Sequence, residues 1–200
     1  SHGKSTTTAL IGLILKEAGL DPTIIIGTKL SELSTREGRS FSSGNNFRMG
    51  GSKYLVLEAD EYARSFHNYF PQITIVTNID KEHLDIYKNL NGVVAGFKRF
   101  FKNISKDGHL VANGEDKNIR KVLSDKQHAT SDKITWYGKG KHKLSIPGIH
   151  NQFNAEAAWQ VVKLLGVRKS IADKVFRSYQ GAWRRMEKLN IKNKNTLKIN

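Results

Sequence analysis

An alternation of two kinds of segment leaves this chain few folds to choose from. Short apolar runs occur at "PTIIIG" (22–27), "KYLVLEAD" (53–60), "QITIVTNID" (72–80), "HLVANGED" (109–116) and "KITWYG" (133–138). Between them lie segments of helical period. Leu10, Leu13, Ile14 and Ala18 share one face over 5–18, which Gly19 closes. Val93, Val94, Phe97, Phe100 and Phe101 share one face over 91–103. Further helices are expected over 116–124, 154–165 (closed by Gly166) and 170–178. Strands that alternate with helices predict an α/β fold, a mainly parallel sheet flanked by helices. Residues 28–52, rich in Ser, Gly and Asn, read as an irregular loop or hairpin.

Sheets of this kind bind ligands beyond the carboxyl ends of their strands. Three polar clusters fall there: the opening "SHGKSTTTAL" (1–10), "EADEY" (58–62) and "NIDKEHLD" (78–85). The first has the parts of a phosphate loop. Gly3 lets backbone amides approach phosphate, Lys4 reaches β/γ-phosphates, and the Ser5 hydroxyl is placed for magnesium. The 5–18 helix then points its positive end at the anion. In the second cluster Glu58, Asp60 and Glu61 lie close together, and a carboxylate there could hold magnesium or position water; the alternative is a solvated acidic turn. His83 in the third is either a metal or phosphate contact or a surface histidine at a helix start. Asn154 suits a helix N-cap, with a nucleotide contact as the alternative. The arginines of "WRRME" (183–187) suit bidentate anion binding or a solvated face.

A formal net charge of +15 calls for a polyanionic partner, and both nucleic acid and small polyphosphates qualify. "FKRFF" (97–101) puts its aromatics on the expected core face, which disfavours base stacking. There is no cysteine, so disulfides, thiolate metal sites and cysteine nucleophiles are excluded, and cytoplasmic residence is compatible with that. No apolar run approaches the ~20 residues of a membrane span.

Five stretches together resemble the central ATPase domain of the Mur ligases: "SHGKSTTTA" (1–9), "NNFRMGGSKYLVLEADEYARSF" (45–66), "PQITIVTNIDKEHLDIY" (71–87), "IPGIHNQFNAEAA" (146–158) and "YQGAWRRMEKL" (179–189). They stand in the family's order and cover most of the chain. The resemblance implies a P-loop NTPase-like domain over 1–190, with 191–200 a tail or the start of a further domain. It implies an ATP-driven amide ligase of peptidoglycan synthesis, closest to the branch that adds L-alanine to UDP-N-acetylmuramate through an acyl phosphate. Lys4 and His83 then act at the phosphates, with Gly3, Ser5, Thr6, Asn151 and Asn154 on the nucleotide. Ser5 and Glu58 hold one Mg2+ and His83 helps hold a second, while His2, Arg184 and Arg185 contact the UDP-muramyl substrate or phosphates. No nucleic-acid or membrane partner is expected.

Two positions depart from the family pattern. Ala63 stands where aspartate is usual, and Lys98 is the candidate, against a solvated helix lysine, for the carbamylated lysine of other branches. The expectation is also that the chain lacks the first strand of its sheet and both partner domains, and is inactive alone. The rivals are a muropeptide-recycling or folylpolyglutamate synthase-like ligase, a nucleic-acid-binding P-loop ATPase, and an inactive scaffold domain.

Overall fold

A computed structural model describes residues 2–33, 45–124 and 133–181. Helix α1 (Lys4–Glu17) leads to strand β1 (Thr23–Leu30), a 3-10 turn at Ser31–Leu33, then β2 (Asn45–Arg48) and β3 (Leu55–Leu57). A second 3-10 segment (Tyr62–Asn68) precedes β4 (Ile73–Val76), the short helix α2 (Leu84–Tyr87) and α3 (Leu90–Phe101). The chain continues as β5 (His109–Asn113), α4 (Lys117–Leu123), β6 (Ile134–Tyr137), α5 (Ile149–Leu164) and α6 (Lys169–Ser178).

The expected α/β layering is present, with one difference. Among the described residues the strands form two three-stranded sheets, β2-β1-β3 and β4-β5-β6, rather than one. The second sheet is parallel throughout. In the first, β1 is parallel to β3 and antiparallel to β2, so the segment after β1 returns as a hairpin partner, with a register break between Ile25 and Leu30.

Each sheet face follows from side-chain alternation. Ile24 and Ile26 of β1 are buried in a first core with α1, α5 and α6. On β5, Val111 turns to this core, whereas Leu110 and Ala112 turn to a second one with α3 and α4. Helix α3 fills that second core with Val93, Gly96, Phe97, Phe100 and Phe101, a spacing that puts all five on one stripe. Full burial of each valine or phenylalanine side chain here contributes about 1.5–3 kcal/mol. The "FKRFF" aromatics thus lie in the core, as their spacing predicts. Side-chain caps start two helices: Asn89 Oδ1 accepts from the Gly92 amide at 3.0 Å, and Asp116 Oδ1 from Ile119 at 2.8 Å.

Glycine sets the depth of α1. A Cβ at Gly12 would stand 2.7 Å from Cδ1 of Ile24, so only glycine lets the helix lie this close to β1. On its other side α1 packs along α5, whose buried Ala155, Ala157 and Ala158 allow a similar approach. The outer face of the first sheet, opposite α1, exposes Ile25, Phe47 and Leu55. No helix among the described residues is long and apolar enough to cross a membrane.

Candidate active site

The three polar clusters meet at the carboxyl ends of β3 and β4. His2 is joined to the end of β4 by its backbone. Its amide donates to Asn78 Oδ1 at 2.7 Å, and its carbonyl accepts from Thr77 Oγ1 at 2.7 Å and Asn78 Nδ2 at 2.8 Å. Its imidazole lies 3.3 Å from Glu82 and 3.9 Å from Asp80. Gly3 follows in the left-handed region, φ 82°, where a Cβ would stand 2.3 Å from Asn154 Oδ1. Both constraints demand glycine.

Lys4 opens α1 and turns to the end of β3. Its Nζ donates to Glu61 Oε2 at 2.6 Å and lies 3.4 Å from Asp60 Oδ1. Burial opposes the charge on both partners, but their hydrogen bond and mutual attraction prevail. The Lys4 pKa is raised. Positive charges beside Glu61, Lys4 among them, overcome its burial and push its carboxyl down to about 2. Tyr87 fixes the backbone here, its hydroxyl donating to the Glu61 carbonyl at 2.6 Å.

Ser5 takes a different acid. Its Oγ donates to Glu58 Oε1 at 2.8 Å, while Glu58 Oε2 accepts from the Gly27 amide at 2.6 Å. Thr6 is buried in the first turn of α1, and Thr7 Oγ1 lies 3.5 Å from Asn154 Oδ1. Asn154 Nδ2 reaches Asn151 Oδ1 at 3.2 Å, and Asn151 Nδ2 donates to the Pro147 carbonyl at 2.6 Å. Helix α5 begins at Ile149, after Pro147 and Gly148, so Asn154 lies inside the helix and is not its N-cap. The buried amide pair instead borders Gly3.

His83 sits at the start of α2 with φ 54° and meets the Tyr62 ring edge-on at 5.2 Å. Asp60, Glu61 and His83 each turn one ligand atom inward, all within 4.8 Å of one another. Two carboxylates with one imidazole suit a hard divalent cation such as magnesium or manganese. Ser5 pairs with Glu58, and His83 gathers with the two acids that follow.

The turn that aims these acids carries strain. Ala63 and Arg64 have φ of 50° and 56°, a region that costs a non-glycine residue about 1–2 kcal/mol. The Asp60 carbonyl anchors the turn by accepting from Phe66 N at 3.0 Å and Ser65 Oγ at 2.7 Å. Lys98 lies partly buried in the last turn of α3. Arg184, Arg185 and the 191–200 segment lie outside the described residues.

Comparison with known proteins identifies the family and the fold. A family model of the Mur ligase middle domain matches residues 1–163. The UDP-N-acetylmuramate–L-alanine ligase of Caldicellulosiruptor saccharolyticus is 37% identical over 94% of this chain and 45% of its own length. That of Aquifex aeolicus is 35% identical over 94% and 44%. The chain thus spans less than half the length of these relatives. Among solved structures, a murein peptide ligase from Psychrobacter arcticus superposes with a TM-score of 0.75 at 22% identity, over 94% of this chain and 47% of its own. The UDP-N-acetylmuramate-alanine ligase of Thermotoga maritima gives 0.71 at 23%, over 91% and 44%. At such identities the likeness shows the fold.

Proposed function

The chain belongs to the Mur ligase family, and on that premise we propose that it is the ATP-binding part of a cytoplasmic ligase that joins L-alanine to UDP-N-acetylmuramate. The observation that carries this reading is the meeting of Lys4, at the head of α1, with the acids that follow β3. A loop lysine, a hydroxyl-carboxylate pair and a separate carboxylate-imidazole group surround one helix N-terminus. That is the equipment for placing a polyphosphate and its cations.

In this reading Lys4 exchanges Glu61 for the β/γ-phosphates, and the amides following Gly3 line the phosphate path. Ser5 with Glu58 would hold one magnesium, and His83 with Asp60 and Glu61 a second. Bound magnesium neutralises the charge that builds on the transferred phosphoryl group. Asn151 and Asn154 border the nucleotide, while His2, Arg184 and Arg185 hold the UDP-muramyl substrate or its phosphates. The muramyl carboxylate takes the γ-phosphoryl group, giving an acyl phosphate and ADP. The L-alanine amine then attacks the acyl carbon, phosphate leaves, and the amide remains. The surplus of basic residues draws both polyanionic substrates toward the site.

The test uses a polypeptide of the relatives' full length that contains this chain. It should release ADP with ATP, Mg2+, UDP-N-acetylmuramate and L-alanine together, and not when either acceptor is omitted. Turnover only with a tripeptide in place of L-alanine would assign it to muropeptide recycling. ADP release indifferent to the UDP-sugar would overturn the ligase reading altogether.

A further inference from the structure

Tyr87 stands between the two segments that supply the cation group. Asp60 and Glu61 come from the strained turn after β3, and His83 comes from the residue just ahead of α2. The turn bonds in part to itself. Asp60 Oδ1 accepts from the Tyr62 amide at 3.2 Å, and the Glu61 carbonyl accepts from the Arg64 amide at 3.0 Å. Tyr87 reaches it from outside. Its hydroxyl donates to that same Glu61 carbonyl at 2.6 Å, and the Arg64 guanidinium lies 5.8 Å over its ring.

The backbone of Tyr87 is tied to His83. Its amide donates to the His83 carbonyl at 2.9 Å, which closes the single turn of α2. Its carbonyl accepts from the amide of Asn89, the residue that caps α3, at 2.7 Å. Two glycines of α3 then make room for it. A Cβ at Gly92 would stand 2.0 Å from the Tyr87 carbonyl oxygen, and one at Gly96 would stand 2.8 Å from ring Cε1. The ring is thus seated against α3, and the residue is only 4% exposed. Neither neighbour is rigid by itself. A four-residue helix is too short to hold its own shape, and a left-handed turn of non-glycine residues persists only where its surroundings fix it.

We propose that Tyr87 is a positioning residue for the second cation. It fastens Glu61 and His83 to one support, α3, so that carboxylate and imidazole keep the spacing that a divalent ion requires. The inference rests on the reading of Asp60, Glu61 and His83 as that cation's ligands. Ring and hydroxyl have separate tasks here. The ring fills the seat against Gly96, and the hydroxyl makes the link to Glu61. Tyr87→Phe keeps the seat and cuts the link. The Glu61 carbonyl then loses its donor from α2, and the left-handed turn is free to relax away from His83.

The test is Mn2+ binding without nucleotide, followed by electron paramagnetic resonance of the free ion, in a full-length polypeptide that contains this chain. His83→Ala identifies the share of binding that belongs to this site. Tyr87→Phe should weaken that share at least ~10-fold, the usual cost of removing a group that orients a metal ligand. Val122→Ala trims the same second core from α4 and should lower the urea midpoint. Its Mn2+ affinity should nonetheless stay within about twofold. Equal Mn2+ affinity in Tyr87→Phe and the unmodified protein would overturn the inference alone. An equal loss in Val122→Ala would also overturn it, by making Tyr87 a contributor to stability only. Absence of His83-dependent binding in the unmodified protein would overturn the cation reading and the inference with it.

Discussion

Two charged clusters in this molecule use similar residues to opposite ends. Around α5 and α6, His142 Nε2 meets Glu156 at 2.7 Å while its Nδ1 lies 3.3 Å from the Lys169 ammonium. Lys169 also bonds Asp173 and sits 5.2 Å over the Trp159 ring. Gln152 brackets His142 by accepting from its amide and donating to its carbonyl, and Gln160 donates to Glu156. The His142 side chain is only 5% exposed, and each ring nitrogen has its partner inside the cluster. This is a closed fastening between two helices and the segment before α5. The Lys4 cluster instead gathers Asp60 and Glu61 around a single ammonium, with Glu58 on the neighbouring Ser5 and His83 beside the two acids. Its surplus of carboxylate is what a cation would complete. A cluster that satisfies itself fastens the fold, and one with excess charge of a single sign is ready for a ligand.

Substitution of the two bases should separate these roles most sharply. In a full-length protein carrying this chain, Lys4→Ala should lower ADP release by about a thousandfold or more, since one phosphate clamp removed is worth several kcal/mol. Its melting temperature should shift little. His142→Ala should do the reverse, costing about 2–4 kcal/mol in denaturant unfolding by leaving partly buried Glu156 without its His142 partner and emptying the space the ring fills. Nucleotide affinity should then stay within about threefold. If Lys4→Ala unfolds the protein, or His142→Ala abolishes turnover without destabilising it, the contrast collapses.

Acid gives the next largest effect. Glu61 is held ionised in the folded chain down to about pH 2, whereas an unfolded glutamate titrates at about 4.3. Its contribution is thus fully present above about pH 4.5 and is lost as pH falls toward 2. In that window the chain should lose on the order of 1–3 kcal/mol that Glu61→Gln does not lose. Equal acid sensitivity of the two proteins in urea melts would remove Glu61 from the account. The smallest effect concerns the left-handed turn. Ala63→Gly should stabilise by about 0.5–1 kcal/mol, because glycine adopts φ of 50° without steric penalty. A destabilised variant would show that the Ala63 methyl makes up for its conformation.

The sequence made parts of this site readable and hid others, for physical reasons. Gly3, Lys4 and Ser5 are adjacent and lead into a helix, so their chemistry is local and a short motif carries it. The strand-end position of "EADEY" was equally plain, since an apolar run stops at Glu58. Which acid meets which base was not. Glu61 meets Lys4 beside a turn in which Ala63 and Arg64 are left-handed, and neither is a residue whose type signals such a turn. The start of α5 was placed five residues late, although Pro147 and Gly148 mark a break that could have been used. The division into two sheets was invisible for another reason. Hydrophobic period reports that a strand is buried, not which neighbour lies beside it.

The close seat of α1 on β1 has an evolutionary consequence. Gly12 stands two turns from Lys4 on one rigid helix and touches Ile24. A side chain at position 12 should press on Ile24 and shift that helix together with Gly3 and Lys4 at its head. Descendants of this sequence should therefore acquire a larger residue at 12 only together with a smaller one at 24. The two positions should therefore vary as a pair.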